Sequence, residues 1–184
     1  MAEAKRLVIF GDSIAKGVMF QDGRYHLCRA HDFDALAQQG VEVLNFAKMG
    51  ACTDTGLAIA KKRLELCQGA QVLLSFGGND CDFDWQAVSD HPEEAHLPKI
   101  PAEQFLENYR ALMDLVRQTA SRVWISSLVP LEAHRFLDHV SQGRSRENIL
   151  TWLGDTDRIF RWQEYYNDLV CRLSRELSCP LLDL

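Results

Sequence analysis

Two short polar motifs in this 184-residue sequence carry side chains suited to acyl-transfer chemistry. Ser13 lies in the motif Gly-Asp-Ser-Ile at residues 11–14, directly after the apolar run at residues 7–10. Asn79 lies in Gly-Gly-Asn-Asp at residues 77–80, after the mostly apolar run at residues 72–76. A serine hydroxyl is a potential nucleophile, and a side-chain amide can donate a hydrogen bond to an oxyanion. We therefore predict a hydrolase whose two motifs meet at one edge of a sheet.

A glycine and an aspartate complete the predicted centre. Gly50 follows the second predicted strand, and a glycine there would let its backbone approach the reacting atoms closely. We predict that the backbone N–H groups of Ser13 and Gly50 and the amide of Asn79 form an oxyanion hole. Asp12 is expected to hold the turn around Ser13 by hydrogen bonding to the backbone, rather than to act as the acid of a catalytic triad, and it is a candidate for substrate contact.

Alternating apolar runs and helix-period segments predict the elements that position these residues. We expect strands at residues 6–10, 41–46, 72–76, 122–128 and 180–184. Helices are expected at residues 54–67 and 101–119, and one or two more between 149 and 177 with a break at Gly154 and Asp155. Residues 82–101 hold two prolines and predict a loop or a broken helix that shapes a pocket. The pattern is typical of a parallel α/β sheet covered on both faces, in one domain over residues 1–184.

Composition narrows the class of partner. The formal net charge of -6 and the pI of about 5.5 argue against nucleic acid and against an anionic membrane surface. The apolar run that ends at Phe10 is too short for a signal peptide core or a membrane span, so we expect a cytoplasmic protein without integral membrane association. Six cysteines without a Cys-x-x-Cys pair predict neither a zinc ribbon nor a disulfide framework. A small-molecule ester is the expected partner, and no cofactor is expected.

With residues 45–50, the two motifs resemble the first three sequence blocks of the SGNH (GDSL) hydrolase family. The resemblance implies a three-layer α/β/α sandwich with a flavodoxin-like five-stranded sheet. It implies that Ser13 is the nucleophile and that Gly50 and Asn79 are oxyanion donors. The implied activity is hydrolysis of a carboxylic ester through an acyl-enzyme, with a carbohydrate acetyl ester, a lysophospholipid or a thioester as candidate substrates.

The last block of that family, Asp-x-x-His, supplies the general base and its orienting acid, and it occurs nowhere in this sequence. We expect the catalytic histidine and aspartate to follow Leu184, in a C-terminal loop and helix that this chain lacks. The 184-residue form is then expected to be nearly inactive, and poorly soluble or dimeric. Candidate substitutes for the base are His134 and His139, whereas His91 and His96 are expected at the pocket rim. His26 and His31 carry no signal.

Residues near Asn79 are further candidates. Phe83 and Trp85 are expected to contact substrate, and Asp80 to contact substrate, orient the site or cap a helix. The aspartates at 80, 82 and 84 alternate like the start of a calcium loop, but its glycine and final glutamate are absent, so no metal is predicted. An aromatic cluster could line an acyl or sugar platform or could be core: Phe83, Trp85, Trp152, Phe160, Trp162, Tyr165 and Tyr166.

Two alternatives to the serine esterase remain. Cys52 or Cys81 could act as a nucleophile, although neither has a paired histidine in the sequence. The rival from another class is a non-catalytic flavodoxin-like binding module, in which residues 11–13 hold a phosphate or another anion at a helix N-terminus.

Overall fold

The computed structural model describes residues 5–21, 23–27 and 33–184. In chain order, its strands are β1 (Lys5–Gly11), β2 (Val18–Gln21), β3 (Arg24–Leu27), β4 (Val41–Asn45), β5 (Gln71–Ser75), β6 (Arg122–Ser126) and β7 (Leu181–Leu182). The helices are α1 (Asp34–Gln38), α2 (Thr53–Arg63), α3 (Trp85–Asp90), α4 (Ala102–Arg117), α5 (Ala133–Val140), α6 (Arg146–Leu153) and α7 (Arg158–Glu176).

Five strands form one parallel sheet in the order β4-β1-β5-β6-β7. In the register, Val8 of β1 lies beside Leu44 on one side and Val72 on the other. This confirms the predicted α/β class and parallel sheet, and all five predicted strands are present, although β7 has two residues where five were expected. Parallel strands place their carboxyl ends at the same edge, so the segments after β1, β5, β6 and β7 converge there.

The main core lies between one face of the sheet and the helices α2, α4 and α7. Alternate strand residues such as Val8, Val72 and Ile125 are fully buried against apolar side chains of these helices. Alternation puts Leu7, Leu73 and Trp124 on the opposite face, where they are half-buried. The buried face fixes the register of the strands, because a slip of one residue would exchange the two sets of side chains.

A second apolar cluster lies beyond the carboxyl ends of the strands. It joins α3, α5, α6 and the first turn of α7 through buried residues that include Trp85, Leu137, Ile149 and Ile159. The predicted break at Gly154 is confirmed, because this residue ends α6 with a φ of 73° and α7 begins four residues later. The loops that follow the strands lie between this cluster and the main core.

Four elements were not predicted from the sequence. The strands β2 and β3 form an antiparallel hairpin directly after the Ser13 turn, and α1 and α5 are short helices. Residues 82–101 contain one helix, α3, within irregular chain, as a broken helix would. No helix in the described part of the chain is long and apolar enough to cross a membrane.

Candidate active site

A cavity of about 290 Å³ opens at the carboxyl ends of the strands. Its floor is formed by residues that follow β1, β5 and β6, including Ser13, Asn79 and Ser127. Its wall comes from the second apolar cluster and includes Phe83, Trp85, Phe136, Trp152, Ile159 and Trp162. The structure therefore brings Ser13 and Asn79, 66 residues apart in the sequence, into one cavity lined by aromatic side chains.

Ser13 is held in a turn rather than at the start of a helix. Residues 13–17 form turns in which Gly17 N donates to Ile14 O at 2.9 Å and Val18 N donates to Ser13 O at 2.9 Å. The chain then enters the β2–β3 hairpin. The rival hypothesis of an anion held at a helix N-terminus is wrong on this point, because the described chain after Ser13 forms no helix there.

Close packing explains the glycine that precedes this turn. A Cβ atom at Gly11 would lie 2.6 Å from Ala15 Cβ and 2.8 Å from Ser75 O, too close for any side chain. Asp12, which is 5% exposed, accepts a hydrogen bond from Ile14 N at 2.9 Å, as predicted. Burial raises the pKa of the Asp12 carboxyl, and the hydrogen bond from Ile14 opposes this rise. Asp12 also lines the cavity and borders Gly78, so its carboxylate shapes the floor.

The Asn79 amide lies between the cavity and the loop that carries Gly50. Asn79 Nδ2 donates to Ala51 O at 3.2 Å, while Lys48 N donates to Gly11 O at 3.0 Å. The loop of residues 48–51 is thus attached at both ends to the segments that bear Asn79 and Ser13. Gly50 itself is exposed, with a φ of 73°, and is not among the residues that line the cavity. An oxyanion contact from the Gly50 N–H therefore stays a prediction.

Asp80 is fully buried beneath the site and does not line the cavity. Its Oδ1 accepts from Thr53 N at 2.8 Å and from Thr53 Oγ1 at 2.6 Å, so it caps the first turn of α2 from another loop. Its Oδ2 has no hydrogen-bond partner among the described residues. Burial raises the pKa of Asp80 to about 6, and the negative charge of Asp54 adds to this rise, against the hydrogen bonds from Thr53. Of the expected roles, helix capping matches the geometry and substrate contact does not.

The neighbouring carboxylates, those of Asp82 and Asp84, also accept hydrogen bonds from other groups of the protein. Asp82 accepts from Trp85 Nε1 and from Lys99 Nζ, both at 2.7 Å. Asp84 caps α3 by accepting from the backbone N–H groups of Gln86 and Ala87. The two carboxylates therefore fix the chain that carries Trp85 into the cavity wall.

The cysteines near the site are poor nucleophiles at neutral pH. Burial, with the negative charge of Asp80, raises the pKa of Cys52 to about 12. Burial, with the negative charge of Asp82, also raises the pKa of Cys81. Because the thiolate is the reactive form, this geometry disfavours the cysteine alternative.

The aromatic cluster divides between the cavity and the core. Phe83, Trp85, Trp152 and Trp162 line the cavity and contact one another edge-on or tilted, with ring centroids 4.9–6.2 Å apart. Tyr166 is fully buried in the main core and donates to Ile100 O at 2.6 Å. Phe160 and Tyr165 are 40% and 43% exposed and lie outside the cavity lining.

No histidine of the described residues lines the cavity. His139 lies on α5 with its Nε2 3.1 Å from the Tyr25 hydroxyl, and His96 contacts Trp152 from outside. His91 is exposed beside Glu93 and Glu94, and His26 is exposed on β3. His134 follows the Glu132 cap of α5, and its backbone N donates to that carboxylate. His31 lies outside the described residues. Because no described histidine lines the cavity, none of them is placed to act as a base for Ser13.

Sequence reasoning missed Phe136 and Arg158 in the cavity lining. The spacing of Ala133, Leu137 and Val140 along α5 is a helical pattern that predicts this helix and its buried face. No sequence pattern predicted that Arg158 lines the cavity, because a single arginine outside any motif does not indicate a binding site.

The family model of the GDSL-like lipase/acylhydrolase family matches residues 9–184. The chain belongs to this family. Because the match covers almost the entire sequence, including both motifs, the resemblance seen in the sequence is confirmed. The family is one of GDSL-like lipases and acylhydrolases. No curated protein matches this chain.

Solved structures of other proteins show the same fold. A catalytic mutant of an acetylxylan esterase from Geobacillus stearothermophilus is 16% identical, with a TM-score of 0.64 over 100% of this chain and 77% of that one. An alpha/beta hydrolase enzyme from the metagenome of Lake Arreo, Spain, is 19% identical, with a TM-score of 0.62 over 100% and 78%. A GDSL-like lipase from Bacteroides thetaiotaomicron is 14% identical, with a TM-score of 0.62 over 98% and 68%.

Proposed function

We propose that this GDSL-like protein is a serine esterase that hydrolyses a carboxylic ester through an acyl-enzyme on Ser13. Ser13 Oγ attacks the ester carbonyl carbon and loses its proton to a base. The tetrahedral intermediate then expels the alcohol, which takes up that proton. Water attacks the acyl-enzyme in the same way and releases the carboxylic acid and free Ser13. The candidate substrates are a carbohydrate acetyl ester, a lysophospholipid and a thioester.

The proposal depends on which of the serine hydroxyls in the cavity are already hydrogen-bonded to the protein. Three serines line it: Ser13, Ser75 and Ser127. Ser75 Oγ accepts from Ser126 Oγ at 2.8 Å, and Ser127 Oγ donates to Asp183 Oδ1 at 3.1 Å. Ser13 Oγ makes no hydrogen bond to any described residue and lies in a tight turn at the cavity floor. It is therefore the hydroxyl available to a substrate.

Asn79 is the proposed oxyanion donor. Its amide carries two N–H groups, and one of them is used by Ala51 O. The other is available to the developing negative charge on the carbonyl oxygen. Because this donor is already oriented by Ala51, it needs no rearrangement when the charge appears.

The general base in this proposal is not assigned to a described residue, because no described histidine lines the cavity. The β7 strand directs the chain toward the cavity, and Leu184 itself lines it. Leu184 N donates to Ser127 Oγ at 2.8 Å, which fixes this direction.

Labelling with a serine-directed fluorophosphonate tests the nucleophile. The protein is treated with the reagent, digested and mapped by mass spectrometry. We expect one modified peptide, containing Ser13, and no modification of the Ser13→Ala variant. Ser75 and Ser127 are internal comparisons in the same digest, and modification of either of them, or of no serine, would contradict the proposal.

Chemical rescue tests whether Ser13 is accessible to a base supplied from solution. Imidazole added to the 184-residue chain should accelerate hydrolysis of 4-nitrophenyl acetate beyond the rate of the Ser13→Ala protein at the same imidazole concentration. Equal rates in the two proteins would show that an external base has no access to Ser13.

A further inference from the structure

Arg158 is the one basic residue among the described residues that line the cavity. It begins α7, and its side chain runs along the aromatic wall, with Cζ 5.4 Å from the centre of the Trp152 ring. Its Nη1 donates to Trp152 O and Leu153 O, both at 3.3 Å, at the C-terminal end of α6. These contacts hold the guanidinium group in one place at the edge of the cavity.

Part of this guanidinium group remains available to a ligand. An arginine side chain has five N–H donors, and only those on Nη1 are used by the α6 carbonyl groups. Nε and Nη2 make no hydrogen bond to any described residue. No described carboxylate lies within ion-pair distance of Arg158.

The nearby carboxylates are used elsewhere. Asp155, three residues before Arg158, forms an ion pair with Arg161 at 2.6 Å. In the cavity lining, Asp82 forms an ion pair with Lys99 at 2.7 Å. Asp12, the other acid of the lining, is 5% exposed and accepts from Ile14 N. The positive charge of Arg158 is therefore not neutralised by a neighbour in direct contact.

We propose that Arg158 makes this cavity selective for esters whose apolar group ends in a negative charge. The aromatic and aliphatic wall removes the apolar group from water, and the free N–H groups of Arg158 bind a carboxylate or another monoanion at its end. The proposal rests on the proposed function for the identity of the reaction, but the binding preference does not depend on Ser13.

The expected preference is about tenfold. A hydrogen bond to a charged group contributes about 1.5–3 kcal/mol, which corresponds to roughly a tenfold to hundredfold change in affinity. Arg158 is exposed to solvent, which weakens the interaction, so the lower end applies. The preference should also fall as the salt concentration rises, because the charges interact partly through water.

Tryptophan fluorescence provides a direct binding assay. Trp85, Trp152 and Trp162 line the cavity, whereas Trp124 lies on β6 and donates to Gln71. We suggest titrating the protein with 4-phenylbutyrate and with 4-phenylbutyramide, which share an apolar body and differ in charge. The wild type should bind the carboxylate about ten times more tightly than the amide, and so should the Ser13→Ala variant.

Two arginine variants separate ligand binding from a structural role. Arg158→Gln should remove the preference and leave binding of the amide nearly unchanged, and Arg158→Lys should retain part of the preference. Arg172→Gln is the matched control, because it removes the same charge from a later turn of α7, where Arg172 pairs with Asp168 outside the cavity lining. A wild-type ratio near one would overturn the proposal, and so would equal weakening of both ligands by Arg158→Gln.

The outcome for Arg158 is distinguishable from the outcome for Ser13. If Ser13 is labelled but the two ligands bind equally, only the selectivity proposal fails. If the carboxylate binds preferentially while no serine is labelled, the esterase proposal fails and the anion site remains. In an active preparation, kcat/KM for mono-4-nitrophenyl glutarate relative to 4-nitrophenyl butyrate should fall about tenfold in Arg158→Gln.

Discussion

Replacing Asp80 by asparagine is expected to change how the stability of this protein depends on pH. Asp80 is fully buried, and burial is the main reason that its pKa rises from 3.8 to about 6. An asparagine is similar in size, can still accept from Thr53 and does not ionise. The substitution therefore removes the ionisable group. The remaining side-chain oxygen of the asparagine can still accept the hydrogen bonds from Thr53.

The magnitude follows from the two pKa values. The folded state binds the Asp80 proton more tightly than the unfolded state, so stability from this group is fully present below pH 3.8. It is lost as the pH rises toward 6 and stays lost at higher pH. One pKa unit is worth about 1.4 kcal/mol, so the ionised carboxylate costs the folded state about 3 kcal/mol.

Urea unfolding at several pH values between 4 and 8, followed by tryptophan fluorescence, measures this effect. The free energy of unfolding of Asp80→Asn, relative to wild type, should rise by about 2.4 kcal/mol from pH 4 to pH 7, because part of the total of about 3 kcal/mol is already lost at pH 4. Burial also raises the pKa of Asp12, but that group titrates in both proteins and cancels in the difference. Asp90→Asn, on the exposed end of α3, controls for the loss of one negative charge. Parallel curves for Asp80→Asn and wild type would refute the argument.

Two further substitutions test the loops that carry the site. Gly77→Ala should lower the free energy of unfolding by about 2 kcal/mol, because φ is 136° and the new Cβ would lie 2.8 Å from Leu128 Cδ2. Urea unfolding measures this, and Gly78→Ala, whose Cβ would meet only Asp12 Oδ2 at 3.6 Å, should be nearly neutral; equal costs would contradict the reasoning. Asp84→Ala should cost about 1 kcal/mol in thermal unfolding through loss of the α3 cap, and an unchanged melting temperature would count against that cap.

The strands, the long helices and the motifs could be predicted because their signals are local. Apolar runs at β1 and β5 reflect strands buried on at least one face, and the three- and four-residue spacing in α4 reflects its buried stripe. The glycines at positions 11 and 77 mark places where a side chain cannot fit. Since parallel strands end at the same edge, the sequence also predicted that Ser13 and Asn79 lie on one side of the sheet.

The short elements could not be predicted in the same way. The hairpin β2–β3 has only four residues in each strand, and α1 has five residues, none of them buried. Such segments have little periodicity of their own, so packing against the rest of the chain determines their conformation. For the same reason, the turn after Ser13 was not distinguished from a helix start.

By itself, the sequence determined the family, the order along the chain of the five sheet strands and the long helices, and the two motifs that meet at the cavity. Only the tertiary structure decided which side chains share that cavity: Arg158 and Phe136 line it, whereas Gly50 and Asp80 do not. The physical reason is that a sequence motif reflects the local conformation of one segment of the chain. The neighbours of a side chain depend on how distant segments pack, and burial then sets the charge state of groups such as Asp80.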